Sequence, residues 1–398
     1  MVATSEIDVP EYTENEEVKS IPVARRRRLG RREFCRTALA STALPFFMKE
    51  ARGENEESED LSTALESLRK KGNLPGLIAG HFTLQGETTL GAVGYRKAGS
   101  DDALQVDDPM HLGSCTKSMT ATLFGMLIDE GRVSMDTTLG EVFQDDRKVT
   151  ESSWSETSMR QLIQHTSGAM ANPPWNDFAT PDADVVDLRR DIMHWLVQRK
   201  RPSETVGKFT YSNLGYTVLG HVIEHLRGHS WEHEITSRLF EPLGMTSAGF
   251  GPPSKTKPDQ SPWGHNRVFG FSVATEQDNP PALGPAGTVH ASMADWIKYL
   301  RVHLTKDPQD LPIKGTTLEQ LHRPSQGENY AGGWGCGERE WAGGRILTHN
   351  GSNTHWYCVV FLALEQQRGV LAASNIGLSA VQTCDEALQW MIRRHSQG

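Results

Sequence analysis

The ten residues His111-Leu112-Gly113-Ser114-Cys115-Thr116-Lys117-Ser118-Met119-Thr120 constrain this chain more than any other stretch. They run into residues 121–131, where Met119, Leu123, Met126 and Leu127 recur at helical spacing and Gly131 ends the period. Ser114 therefore falls at the start of a helix, with Lys117 one turn on and on the same face. A serine in that place can be nothing more than an N-cap. A lysine in the first turn, however, opposes the helix dipole and gains nothing from its position. Beside a partly buried serine it can lower the cost of an alkoxide, or take the hydroxyl proton if its own pKa is depressed. Whatever completes such a pair must come from elsewhere in the chain.

At 398 residues and 37% hydrophobic content, the chain can bury a substantial core, as one large domain or two lobes about a cleft. The formal charge is -9, and residues 1–52 hold ten basic against eight acidic side chains, so the remainder is more acidic still. No basic stripe survives there to neutralise phosphates, which argues against a nucleic-acid partner. The five cysteines, Cys35, Cys115, Cys336, Cys358 and Cys384, suggest neither a metal pair nor a disulfide framework, leaving open one long-range bridge among the last three. The histidines lack ligand spacing, so neither a metal nor a cofactor is expected.

Residues 1–20 are polar and acidic and read as disordered. A basic block at residues 25–36 then precedes a short apolar run over residues 37–48, the order of an export signal. That run is too short to span a bilayer. Arg31-Arg32 followed by Phe34 resembles a twin-arginine signal, which implies export of a folded bacterial protein to the periplasm or beyond. Residues 1–52 are thus expected to be tail and signal, residues 53–60 an acidic linker, and residues 61–396 the folded domain. Within it, helices are expected over 61–71, 160–168 (stopped by Gly168), 184–199, 214–226 (capped by Ser212 or Asn213), 231–239, 293–303 and 379–394. Strands are expected over 77–84, 88–95, 344–349, 354–362 and 369–374, with 268–273 a candidate edge strand. This order satisfies an α+β architecture, a central antiparallel sheet flanked by helices with an inserted, mainly helical lobe. The sheet lobe would take residues 61–110 and 286–396 and the helical lobe residues 111–285, with the serine helix between them, where catalytic clefts are commonly found.

Ser114-Cys115-Thr116-Lys117, Tyr211-Ser212-Asn213 and His349-Asn350-Gly351, in that order, resemble the motifs of the serine beta-lactamase-like superfamily. The likeness is nearest to the branch of class C beta-lactamases, D-alanyl-D-alanine carboxypeptidases and related esterases. Residues 162–168, residues 240–245, Ala286-Gly287 and Ala373-Ser374-Asn375 extend it from residue 61 to the end. The resemblance implies a beta-lactamase/transpeptidase-like fold and a mechanism. In it, Ser114 forms an acyl-enzyme, Lys117 shares its proton, and Tyr211 transfers protons from across the cleft. Asn213 would hydrogen-bond Lys117 and the substrate amide. His349 would begin the third motif on a cleft-edge strand, with Asn350 and Gly351 lining the acyl site. The backbone N–H groups of Ser114 and Ser352 would form the oxyanion hole.

His165, His290 and His355 are expected to be structural, and Cys115 to be buried and turned away. Where class C beta-lactamases carry Lys-Thr-Gly, this chain has His349-Asn350-Gly351, which resembles certain carboxypeptidases and esterases and weakens the case for antibiotic hydrolysis. The Asn350 amide could replace the missing threonine hydroxyl. The expectation is a serine hydrolase acting on a small-molecule ester, amide or peptide, with no cofactor. The alternatives are a class C-like beta-lactamase or a non-catalytic penicillin-binding or sensor module of the same fold. Intact Ser114, Lys117 and Tyr211 argue against the non-catalytic module.

Overall fold

Apolar residues at helical spacing and a capping aspartate form the first described helix where the sequence predicts one. A computed structural model describes residues 60–178 and 183–395; the expected tail, export run and most of the acidic linker lie outside these residues. Asp60 accepts from the Ser62 N–H at 3.2 Å and caps α1 (Leu61–Lys71). Strands β1 (Gly76–Thr83) and β2 (Thr88–Gly94) follow as a hairpin. The serine segment forms one 3-10 turn, Gly113–Cys115, and then α2 (Thr116–Asp129). Every residue of α2 from Thr116 to Leu127 is buried, so it runs through the interior rather than along a surface. Its hydroxyls are satisfied inside the protein: Thr120 donates to the Pro285 carbonyl at 2.7 Å and Thr122 to the Ser118 carbonyl at 3.0 Å.

After two single-turn helices, Leu139–Val142 and Arg147–Thr150, come α3 (Met159–Ile163), α4 (Val185–Val197) and α5 (Asn213–Arg227). Gly168 does not stop α3. The helix ends after Ile163, and His165, at φ 60°, turns the chain while the Thr166 N–H closes on the Gln161 carbonyl. Ser212 caps α5 by accepting from the Gly215 N–H at 2.9 Å, and Gly228 ends that helix in the left-handed region. Arg189 of α4 is fully buried and paired with Glu224 of α5 and with Glu232, and it also donates to the carbonyls of Pro281 and Ala282. Such a set ties the helices together, because removing one member strands a buried charge, at a cost of about 3–5 kcal/mol.

Residues 268–273 do not form an edge of the main sheet. Phe269 and Gly270 both take positive φ, 48° and 87°, and make a two-residue turn between β3 (Gly264–Val268) and β4 (Phe271–Thr275), a separate ribbon. Helices α6 (Met293–Val302) and α7 (Gly315–Leu321) lead to the closing strands. These are β5 (Tyr330–Ala331), β6 (Trp334–Arg339), β7 (Gly344–Ser352), β8 (Tyr357–Ala363) and β9 (Arg368–Ser374), before the final helix α8 (Val381–His395). Helix α7 and strands β5 and β6 have no counterpart in the sequence reading.

The seven-stranded sheet is antiparallel throughout, in the order β2-β1-β9-β8-β7-β6-β5. Both faces are buried, and β8 shows it: Cys358, Val360 and Leu362 join the core that includes α2, whereas Tyr357 and Val359 join the one that includes α1 and α8. The result is an α+β architecture, a central antiparallel sheet flanked by helices, with α2 against one face of the sheet. Among the described residues no helix is long and apolar enough to cross a membrane.

Candidate active site

Two glycines bring the serine turn onto the end of β7. Gly113 sits at φ 50°, and a Cβ placed on it would lie 2.4 Å from the Ser352 nitrogen. A Cβ on Gly351 would lie 1.9 Å from the Leu112 carbonyl oxygen. Backbone touches backbone here, which no larger residue allows. Gly333, at φ 83°, makes a similar approach to the first turn of α2, its Cβ position 2.3 Å from the Ser118 nitrogen.

Within this frame Lys117 is fully buried and Ser114 half-buried. Lys117 Nζ donates to Ser114 Oγ at 3.3 Å, to Asn213 Oδ1 at 2.7 Å and to the Ala286 carbonyl at 2.7 Å. An ammonium has three N–H bonds to give, and these acceptors match them. The Tyr211 ring lies 4.8 Å from Nζ. Asn213 opens α5, and its amide nitrogen donates to Asn172 Oδ1 at 2.9 Å, which fixes the amide with its oxygen toward Lys117.

His165 organises the second motif from behind. Its Nδ1 accepts from the Ser212 N–H at 3.1 Å, its carbonyl accepts from the Thr210 N–H at 2.7 Å, and its ring packs 4.5 Å from that of Tyr211. Burial, then the charge of Lys117, pushes its pKa well down, so it stands as a neutral prop. His290 and His355 make hydrogen bonds to the Gly251 carbonyl and Asn266 Oδ1.

The third motif splits between the two faces of the sheet. Register pairs His349 with Val360 and Gly351 with Cys358, on the α2 side, and Asn350 with Val359 and Ser352 with Tyr357, on the α1 and α8 side. The Asn350 amide accordingly reaches Tyr357 Oη at 3.5 Å. That departs from its expected place lining the acyl site, and the cause is the two-residue period of a strand. Nor is β7 an edge strand, since β6 and β5 lie outside it. Pairing with β6 stops at Thr348, however, so among the described residues no strand lies beside His349 to Ser352 on that side. The His349 ring approaches Tyr330 Oη at 3.4 Å, and Tyr330 lies between it and Tyr211. Burial, then Lys117, pushes the His349 pKa down to about 3. The structure thus brings Ser114, Lys117, Tyr211, Asn213, His349, Gly351 and the Ser352 backbone into one neighbourhood. It adds Asn172 and Tyr330, which carry no motif signal of their own.

Cys115 is buried with its Sγ 3.6 Å from Cys358 Sγ, and burial drives its thiol pKa well up, so it is not a rival nucleophile. Cys336, Cys358 and Cys384 are all free thiols. Among the described residues one cluster of metal-ligand type comes together, His229, His233 and Glu234, and Arg227 already holds its carboxylate at 2.8 Å.

The family profile described as Beta-lactamase matches residues 61–389. This chain belongs to the Beta-lactamase family. Penicillin-binding protein 4 of Amycolatopsis lactamdurans is 26% identical over 337 residues, 77% of this chain and 82% of that protein. Protein flp of Staphylococcus aureus (strain NCTC 8325 / PS 47) is 22% identical over 349 residues, 86% of this chain and 68% of that one. Among solved structures, the class C beta lactamase from Rhodobacter sphaeroides superposes with a TM-score of 0.67 at 20% identity, covering 84% of this chain and 100% of that one. The octameric penicillin-binding protein homologue from Pyrococcus abyssi gives a TM-score of 0.67 at 20% identity, covering 85% and 78%. At such identities the superpositions establish the shared beta-lactamase fold.

Proposed function

We propose that this member of the Beta-lactamase family is a serine hydrolase that cleaves an ester or amide through an acyl-enzyme on Ser114. The observation that carries the reading is Lys117, a buried cation held by Asn213 and the Ala286 carbonyl with Ser114 Oγ as its third acceptor. Ser114 Oγ attacks the substrate carbonyl while its proton passes to the Lys117–Tyr211 pair. The carbonyl oxygen gains charge between the N–H groups of Ser114 and Ser352. The leaving group takes the proton back from Tyr211, and water repeats the sequence to release the acid.

His349 bears on the substrate. Held neutral where class C beta-lactamases carry lysine, it supplies no positive charge for a substrate carboxylate. That favours an ester, or an amide or peptide without a carboxylate at that point, over a beta-lactam. Fluorophosphonate should label wild type on the Ser114 peptide, and short-chain esters should outpace a chromogenic cephalosporin and a D-alanyl-D-alanine peptide. A cephalosporin turned over faster than every ester would reverse that ranking; labelling at any other residue would remove the nucleophile. We place the activity outside the cytoplasm on the strength of Arg31-Arg32 and the apolar run behind it. Changing both arginines to lysine should leave the precursor in the cytoplasm of the native host, and a wild type found intact there would end that part of the reading.

A further inference from the structure

The two donors of the oxyanion hole sit on separate stretches of chain, the turn before α2 and the end of β7. A set of side chains, two buried and one partly buried, joins these stretches from behind. His111 is fully buried, and its Nδ1 accepts from the Gly113 N–H at 3.1 Å. A ring nitrogen that accepts carries no proton, so the hydrogen of the neutral imidazole is on Nε2. Nε2 lies 3.1 Å from Asp278 Oδ1, within ion-contact distance though off the line of a well-aligned hydrogen bond. The same Asp278 oxygen accepts from Asn353 Nδ2 at 2.7 Å. Asn353, itself buried, accepts with Oδ1 from the backbone N–H groups of His355 and Trp356, each at 3.1 Å, closing the turn that follows Ser352. Asp278 thus spans the serine turn on one side and the Ser352 turn on the other.

We propose that Asp278 and His111 are a positioning pair that sets the spacing and aim of the oxyanion hole. The inference rests on Ser114 being the nucleophile. The Asp278 carboxylate selects the Nε2–H tautomer, which leaves the Nδ1 lone pair for Gly113. That bond holds Gly113 in its left-handed conformation and with it the plane of the next peptide, whose N–H belongs to Ser114. Through Asn353 the same carboxylate holds the turn after Ser352. Both residues act on backbone, not on substrate, so their removal should be felt where charge develops on the carbonyl oxygen and not in ground-state binding.

The test uses the full chain with p-nitrophenyl butyrate as substrate and an alkyl boronic acid as probe, since its tetrahedral adduct on Ser114 places an oxygen in the hole. Asp278→Asn keeps the size and removes the charge. It should lower kcat and boronate affinity together by about 10–100-fold, less than the ~10²–10³ seen when an oxyanion donor is lost outright, and leave KM unchanged. His111→Asn retains an acceptor for the Gly113 N–H and should keep far more activity than His111→Ala. In the His111→Ala background, Asp278→Asn should add little, because the two act as one unit. A fall in kcat with boronate affinity intact, an effect wholly in KM, or full additivity would overturn the pair. If Asp278→Asn fails to fold, the two His111 variants decide: equal losses overturn the proposal, and rescue by asparagine supports it. A wild type that fluorophosphonate does not label at Ser114 overturns the hydrolase reading and this pair with it. A labelled wild type matched in every respect by Asp278→Asn overturns the pair alone.

Discussion

Ser114 and Cys115 are neighbours in sequence with opposite chemical prospects. Ser114→Ala should abolish labelling and nearly all turnover while leaving Tm close to wild type, because a half-buried hydroxyl leaves no large cavity. Lys117→Ala should cost about 10²-fold or more in kcat/KM, the scale for losing a proton-transfer group. It should also cost stability, since Asn213 and the Ala286 carbonyl lose their donor. Cys115→Ser should keep labelling and most activity; transfer of the label to Cys115 in Ser114→Ala would contradict the assignment. The pairing of Ser114 with Lys117 was legible because one helical turn fixes it, and Tyr211 and Asn213 because they arrive with it as motifs. Asn350 was not placed correctly, although strand alternation sets it on the face opposite His349. Asn172, Tyr330, His111 and Asp278 could not be found as partners, because no local period links them to the serine turn.

At the level of elements, the glycines between the serine turn and β7 matter more than their size suggests. Gly351→Ala would set a Cβ at 1.9 Å from the Leu112 oxygen, so strand and turn must part. It should slow fluorophosphonate labelling by about 10²-fold or more, since misplacing reactive groups by an ångström has that cost. Gly86→Ala is the control: at φ 109° with open space around it, it should lower stability by about 1–2 kcal/mol and leave the labelling rate alone. Equal labelling by the two variants would show that the contact does not shape the site. The capped amphipathic helices and the alternating strands were readable from local pattern. The ribbon at Phe269–Gly270 was misread because apolar residues on both sides of a two-residue turn look like one strand. Strands β5 and β6 were missed because Gly332, Gly333, Gly335 and Gly337 break their period.

Across the whole molecule, buried histidines set the response to acid. Burial, the first cause in each case, holds His81, His265, His290 and His322 at about 4 and His349 at about 3, against an ordinary value of 6.5. From about pH 6.5 down toward 4, the unfolded chain takes up protons that the fold excludes, so stability falls as pH falls. Asp385, raised to about 6 by burial, runs the other way and costs stability as pH rises through that range. His165, His303 and His355 are lowered as well, so the histidines outweigh Asp385 and leave a net loss in acid, and Tm should drop from pH 7 to pH 5; a flat or rising Tm would show these imidazoles to be hydrated. One further consequence follows from where the serine turn rests. Cys115 packs on Cys358, 243 residues later in the chain, and Gly113 packs beside Ser352. A polypeptide emerging from the ribosome therefore carries its serine long before it carries the strand that arms it. Reactivity should be the last property acquired in synthesis or refolding: in a pulse-labelling experiment the fluorophosphonate signal should lag the return of helical circular dichroism, and nascent chains ending before Ser352 should stay inert.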